Sequence, residues 1–139
     1  MSSECDVVVI GAGPGGGSAA LHAARSGLSV MLVEDHPAIG TPVHCGECLS
    51  LLAVQNLGLD IPESVIALEC KGIRVIFPDG TEKLLSEDGF VLEKHLFERW
   101  IADEATSAGA SLHLGHKVTS MTRIFNSNNH FSTWEIDGK

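Results

Sequence analysis

Residues 6–34 constrain the fold more than any other stretch of this chain. Asp6-Val-Val-Val-Ile10 is a short apolar run, followed by Gly11-Ala-Gly-Pro-Gly-Gly-Gly17. Ser18 to Arg25 is alanine-rich, and Ser29-Val-Met-Leu-Val-Glu34 is a second apolar run. Short β-branched runs bounded by glycine suit buried parallel strands. Ser18–Arg25 favours helix, and Gly27 stands where helices stop. Strand, glycine turn, helix and strand within about 30 residues make a βαβ unit with a right-handed crossover. Five of the fifteen glycines in 139 residues fall between Gly11 and Gly17, so the excess is local and has a local cause.

That cause is a Gly11-x-Gly13-x-x-Gly16 turn between strand and helix. Gly11 permits the tight turn, Gly13 lets a pyrophosphate approach the backbone, and Gly16 lets helix and strand pack closely. Pro14 and Gly15 lie inside the same turn and count with it as cofactor-binding positions. N–H groups at the helix start, with the helix dipole, stabilise phosphate charge without any lysine. Glu34 ends the second strand eighteen residues beyond Gly16, where an acid hydrogen-bonds both hydroxyls of an adenosine ribose. The same acid disfavours a ribose 2′-phosphate, and hence NADP. FAD and NAD both fit; the bland alternative is a structural βαβ unit with an incidental acid at a strand end.

Composition narrows the remaining classes. Nine basic against eighteen acidic residues give a net charge of −9, the wrong sign for binding nucleic acid through its phosphates. Hydrophobic content of 44% and charged content of 19% describe a globular chain rather than a disordered one. The longest uncharged run, Val7 to Ala24, carries five glycines, a proline and a histidine, unlike a lipid-spanning helix. Glu4 and Asp6 stand where an export signal would carry Lys or Arg. Four cysteines (Cys5, Cys45, Cys48, Cys70) are too few and too unevenly spaced for a secreted disulfide framework, so the chain reads as cytoplasmic with reduced thiols.

Beyond Glu34, residues 35–47 read as loop, punctuated by Pro37, Gly40, Pro42 and Gly46. Cys48 to Leu57 reads as a short helix ending near Gly58. Ile73–Phe77 and Thr81–Leu85 flank Pro78-Asp-Gly80 as a β-hairpin. Lys94 to Ala108 is a helix whose Leu96, Phe97, Trp100, Ile101, Ala105 and Ala108 form the apolar stripe, opposite Glu98, Asp103 and Glu104. Ser111–Leu114, Lys117–Ile124 and His130–Ile136 read as strands.

Asp6 to Ala20, with Leu32-Val-Glu34, resembles the FAD-binding start of the p-hydroxybenzoate-hydroxylase-like flavoproteins. Ile39-Gly-Thr-Pro-Val-His-Cys-Gly-Glu47 is similar to the proline-valine-arginine-cysteine-glycine-glutamate signature of the geranylgeranyl reductase family, its archaeal digeranylgeranylglycerophospholipid reductases especially. Phe90–Arg99 and Ala105–Val118 are similar to that family's helix and strand returning to the FAD domain. The resemblance implies FAD as cofactor, Cys45, Gly46 and Cys48 beside the flavin, and Lys94 reaching the cofactor from the helix start. It implies that Val118 offers backbone contacts to adenine and that Cys45 is the catalytic-site thiol. His44 replaces the family's arginine, Lys94 replaces another, and Cys48 stands where a small residue is usual.

The implied fold is α/β: a Rossmann-like FAD-binding βαβ unit, an inserted β-hairpin, and a long helix returning to the cofactor domain. The whole chain, 1–139, is then the N-terminal part of an incomplete FAD-binding domain. Its segments are a first βαβ at 5–34, a flavin-side loop and short helix at 35–60, inserted strands at 65–90, and a helix with return strands at 91–139. The implied activity is reduction of C=C bonds in a polyprenyl lipid, with an unnamed electron donor and contact at a membrane surface. Alternatives are a disulfide- or quinone-type flavin reductase using the Cys45-Gly-Glu-Cys48 pair, and a non-catalytic truncated dinucleotide-binding fragment. Zinc fits poorly, for no second C-x-x-C or H-x₃₋₅-H is at ligand spacing. Cys5 and Cys70 read as small apolar fillers, His113 as a strand-face residue, and His44 as a catalytic-acid candidate only by its place.

Overall fold

A computed structural model of the chain describes residues 4–43, 45–125 and 132–139. The chain divides into two compact units, Met1–Thr41 with Glu98–Lys139, and Pro42–Phe97.

The first unit is built on a parallel sheet. Strands β1 (Val7–Ile10) and β2 (Val30–Val33) pair in register from Val7 opposite Val30 to Ile10 opposite Val33. Strand β8 (Ser111–His113) pairs with the other edge of β2, Leu32 opposite Leu112, giving the order β1-β2-β8. Central position explains why β2 is apolar throughout: Val30, Leu32 and Val33 are buried. Helix α1 (Pro14–Arg25) crosses over between β1 and β2 and buries Gly17, Ala20, Leu21 and Ala24. It ends on Gly27, whose φ of +84° is the left-handed conformation glycine adopts without strain. The Leu28 N–H then bonds the Ala23 carbonyl and the Gly27 N–H the Ala24 carbonyl, capping the last turn.

Helix α1 begins at Pro14, four residues before the start expected from propensity. Proline at the first helical position loses no hydrogen bond, and the glycines that follow are kept helical by packing that propensity scales ignore. A side-chain carbon at Gly17 would lie 2.6 Å from Cγ2 of Ile101. Ile101 belongs to helix α3 (Lys94–Ser107), within which the boundary between the two units falls. The buried stripe of α3 in the first unit comprises Glu98, Ile101, Ala102 and Ala105. Glu98 was expected on the solvent face; it is only 5% exposed, because it sits one turn before Ala102 on the same stripe. Strands β9 (Val118–Phe125) and β10 (Ser132–Gly138) close this unit as an antiparallel ribbon, with Arg123 stacked on Phe125 and Trp134. The start of the strand expected at His130 lies outside the described residues.

In the second unit, β3 (Cys48–Ser50), β7 (Gly89–Leu92) and β4 (Ile66–Cys70) form an antiparallel sheet in the order β3-β7-β4. Strands β5 (Ile73–Ile76) and β6 (Glu82–Leu85) make the expected hairpin. The short helix α2 covers Leu51–Leu57, not Cys48–Leu57. Pairing of Cys48 with Val91, Leu49 with Phe90 and Ser50 with Gly89 takes the first three residues into the sheet. Ser50 then caps the helix, its Oγ accepting from the Ala53 N–H at 3.1 Å.

Candidate functional site

The turn joining β1 to α1 is held open by its glycines. Gly11 has φ +96°, and its N–H bonds the Val33 carbonyl at 2.7 Å, tying the turn to the end of β2. Among the described residues nothing lies within 4 Å of where a side-chain carbon on Gly11 or Gly15 would be, and beside Gly13 only Glu98 Oε1 does, at 3.7 Å. Gly16 is different. A side-chain carbon there would lie 1.8 Å from the Gly11 carbonyl oxygen and 3.3 Å from Val9, so no other residue fits between strand and helix. Pro14 and Gly15 are exposed, and the first turn of α1 carries no acidic residue of its own. The result is an open backbone surface at a helix N-terminus, the shape and polarity a pyrophosphate requires.

Glu34 follows β2 and turns back to this loop. Its Oε2 accepts from the Ala12 N–H at 2.7 Å, while Oε1 accepts from the His36 N–H at 3.1 Å and faces His36 Nδ1 at 2.6 Å. Burial raises the carboxyl pKa, but the hydrogen bonds from Ala12 and His36 outweigh it and hold the group at about 2. Glu34 is therefore ionised throughout the physiological range. The His36 ring also contacts Asp35 Oδ1 at 2.8 Å, and Glu34, then Asp35, raise its pKa above the ordinary histidine value. The β8–β9 connection supports this loop: the Gly115 N–H bonds the His36 carbonyl and the His116 N–H the Glu34 carbonyl. Val118, two residues further on, opens β9 and is half-buried.

The structure thus brings Gly11, Gly13, Pro14, Gly15, Gly16 and Glu34 into one locale, with Val118 near the strand connection that backs it. Two residues there escaped the sequence reading. His36 carries no periodic or motif signal; only its place two residues after Glu34 hints at a role. Glu98 was readable as a buried position from its one-turn spacing to Ala102.

Cys45, Gly46, Cys48 and Lys94 lie in the second unit. Cys45 and Cys48 are exposed free thiols, Cys48 Sγ donating to the Gly46 carbonyl at 3.3 Å. Between them Glu47 adopts φ +62° and presents its carbonyl to the Leu92 N–H at 2.9 Å; such a conformation costs a non-glycine residue roughly 1–2 kcal/mol. Lys94 is the half-buried first residue of α3. His44 lies outside the described residues. Cys5 and Cys70 are half-buried, and the His113 ring meets that of His116 edge-on. Among the described residues no helix is long and apolar enough to cross a membrane.

A parallel βαβ unit with an obligate-glycine turn and an ionised acid after its second strand is the arrangement of a dinucleotide-binding fold. Residues 6–126 match the family model described as FAD dependent oxidoreductase, and the chain belongs to that family. It is 42% identical over 126 residues to the digeranylgeranylglycerophospholipid reductase of Methanothrix thermoacetophila, covering 86% of this chain and 32% of that protein. It is 41% identical over 127 residues to the enzyme of the same name from Methanocella arvoryzae, covering 87% and 32% respectively. A solved geranylgeranyl bacteriochlorophyll reductase-like protein of Thermoplasma acidophilum superposes with a TM-score of 0.76 at 36% identity, over 84% of this chain and 32% of that one. The chain therefore spans about a third of the length of the relatives it matches.

Proposed function

We propose that this chain is the N-terminal cofactor-binding part of a reductase that saturates C=C bonds in a polyprenyl lipid, and that it holds the adenosine diphosphate half of FAD. The carrying observation is the Glu34 carboxylate, ionised and hydrogen-bonded to Ala12 inside the glycine turn. The open backbone at Gly11, Gly13 and Gly15 receives the pyrophosphate against the start of α1. Glu34 accepts from the ribose hydroxyls, and Val118 lends backbone contacts to adenine. The flavin, when bound, supplies hydride chemistry to one alkene carbon, while a proton reaches the other. Cys45, Gly46, Cys48 and Lys94 are assigned to the flavin side on the reductase signature, with Cys45 as the site thiol. The names of the relatives support a polyprenyl lipid as substrate.

A dithiol mechanism for Cys45 and Cys48 has less support. It would benefit from a helix dipole at Cys48 to stabilise a thiolate, and Cys48 lies in β3, with Ser50 capping α2. The test is reduction of a geranylgeranyl-chain lipid by the protein containing this segment, supplied with FAD and dithionite and followed by mass spectrometry. Gain of two hydrogens per double bond, lost with Cys45→Ser and retained with Cys48→Ala, is the expected outcome. No mass gain in an FAD-loaded preparation contradicts the substrate assignment.

A further inference from the structure

Glu34 has fewer free acceptor positions than its proposed task needs. A carboxylate offers about four lone-pair directions. The Ala12 N–H takes one on Oε2, and the His36 N–H and His36 ring approach Oε1. With carboxylates on both sides, Glu34 Oε1 at 2.6 Å and Asp35 Oδ1 at 2.8 Å, Nδ1 is the protonated nitrogen of the ring. One position remains, on Oε2, whereas an adenosine ribose brings two hydroxyls. The backbone donors at Ala12 and His36 are fixed by the turn and by the β8–β9 connection. The His36 ring is not: its side chain is 51% exposed against 13% for Glu34, and it can rotate into water.

We propose that His36 competes with the adenosine ribose for Glu34, so that an adenosine dinucleotide binds this unit by displacing the imidazole from Oε1. The inference rests on the reading of Glu34 as the ribose acceptor. It makes His36 a specificity-determining residue: a ligand with both hydroxyls displaces the ring, and a ligand with one has less to offer in exchange. It also couples binding to protons. In the free protein the ring is paired with Glu34 and Asp35; once displaced from Glu34 it holds its proton less firmly. Binding therefore releases protons and weakens as pH falls. Other titratable groups stand on the neighbouring elements: Glu98 of α3, whose Oε1 lies 3.7 Å from the Gly13 side-chain position, His113 at the end of β8, and on the β8–β9 connection His116, whose Nδ1 faces the Leu114 carbonyl, and Lys117. They are common to parent and variant and cancel in the comparison.

The test is calorimetric titration of FAD, none of whose groups titrates in the range, into the 139-residue chain from about pH 5.5 to 8.5. Buffers of different ionisation enthalpy report the protons released. The parent should gain roughly three- to tenfold in affinity across that range and release protons on binding. His36→Ala should bind with a flatter profile, and more tightly than the parent at the acidic end. His36→Asn, which keeps a neutral donor, should also be flat. If His36→Ala keeps the parent's slope and proton release, or binds more weakly at both ends, the competition is refuted. Glu34→Gln separates the two readings. If it binds FAD as tightly as the parent, the ribose assignment itself fails; if it weakens binding while His36→Ala keeps the parent's slope, only the competition fails.

Discussion

At the scale of single residues, Glu34 ties stability to pH in a direction its surroundings fix. Its folded pKa of about 2 lies below the ordinary 4.5, so its contribution is full above about pH 4.5 and is lost as pH falls towards 2. His36 has the opposite sign: its pKa is raised, so its contribution is present below about pH 6.5 and is lost as pH rises through the raised value. Urea unfolding should show Glu34→Gln destabilised by about 2–3 kcal/mol near pH 6, with the difference fading towards pH 3. A constant difference across that range would mean the carboxylate is not held by these bonds. Gly16→Ala should cost more than about 3 kcal/mol or prevent folding, because the obstruction is the Gly11 carbonyl and not a movable side chain. Circular dichroism of that variant at native-like stability would contradict the geometry. Glu34 and Gly16 were legible in the sequence because their roles follow from spacing along one βαβ unit. The role of His36 depends on a loop orientation set by β8 and β9, some 80 residues away, which no local pattern encodes.

Elements were legible where period and punctuation agreed, as in β1, β2, the β5–β6 hairpin and α3. They were misread where tertiary contacts overrode propensity. The start of α1 was placed late because three glycines argue against helix, yet Gly16 and Gly17 allow α1 to approach the β1 end and Ile101. Gly17→Ala should therefore destabilise by about 1–3 kcal/mol, and Ile101→Leu, which removes the branch at Cβ, should recover part of the loss. Thermal melts of the two single variants and the double variant measure this coupling; strict additivity would show that the helices do not meet there. Cys48 was assigned to the helix ending near Gly58, and only pairing with β7 reveals the strand. With both thiols exposed and free, the protein purified without reductant should show Cys45 and Cys48 reacting with a thiol reagent faster than the half-buried Cys5 and Cys70. Protection of both Cys45 and Cys48, reversed by dithiothreitol, would restore the dithiol reading.

For the whole molecule, spacing in the first 34 residues made a dinucleotide-binding unit readable with FAD and NAD both open, and resemblance alone, there and at residues 39–47, pointed to the FAD-dependent class and the branch. An inserted segment and a helix returning to the cofactor domain were expected through resemblance alone; α3 and β8 return to the first unit after a long excursion, which no local pattern encodes. In the proposed function the first unit grips the adenosine diphosphate half of the cofactor through the glycine turn and Glu34. Calorimetric titration of the chain with FAD, ADP and ADP bearing a ribose 2′-phosphate tests it most directly. FAD and ADP should bind within about threefold of each other, since both present the same pyrophosphate and ribose. The 2′-phosphate should weaken binding at least about tenfold, through repulsion by the ionised Glu34 and loss of a hydroxyl donor. Equal binding of the 2′-phosphorylated ligand, or FAD binding far tighter than ADP, would contradict the account.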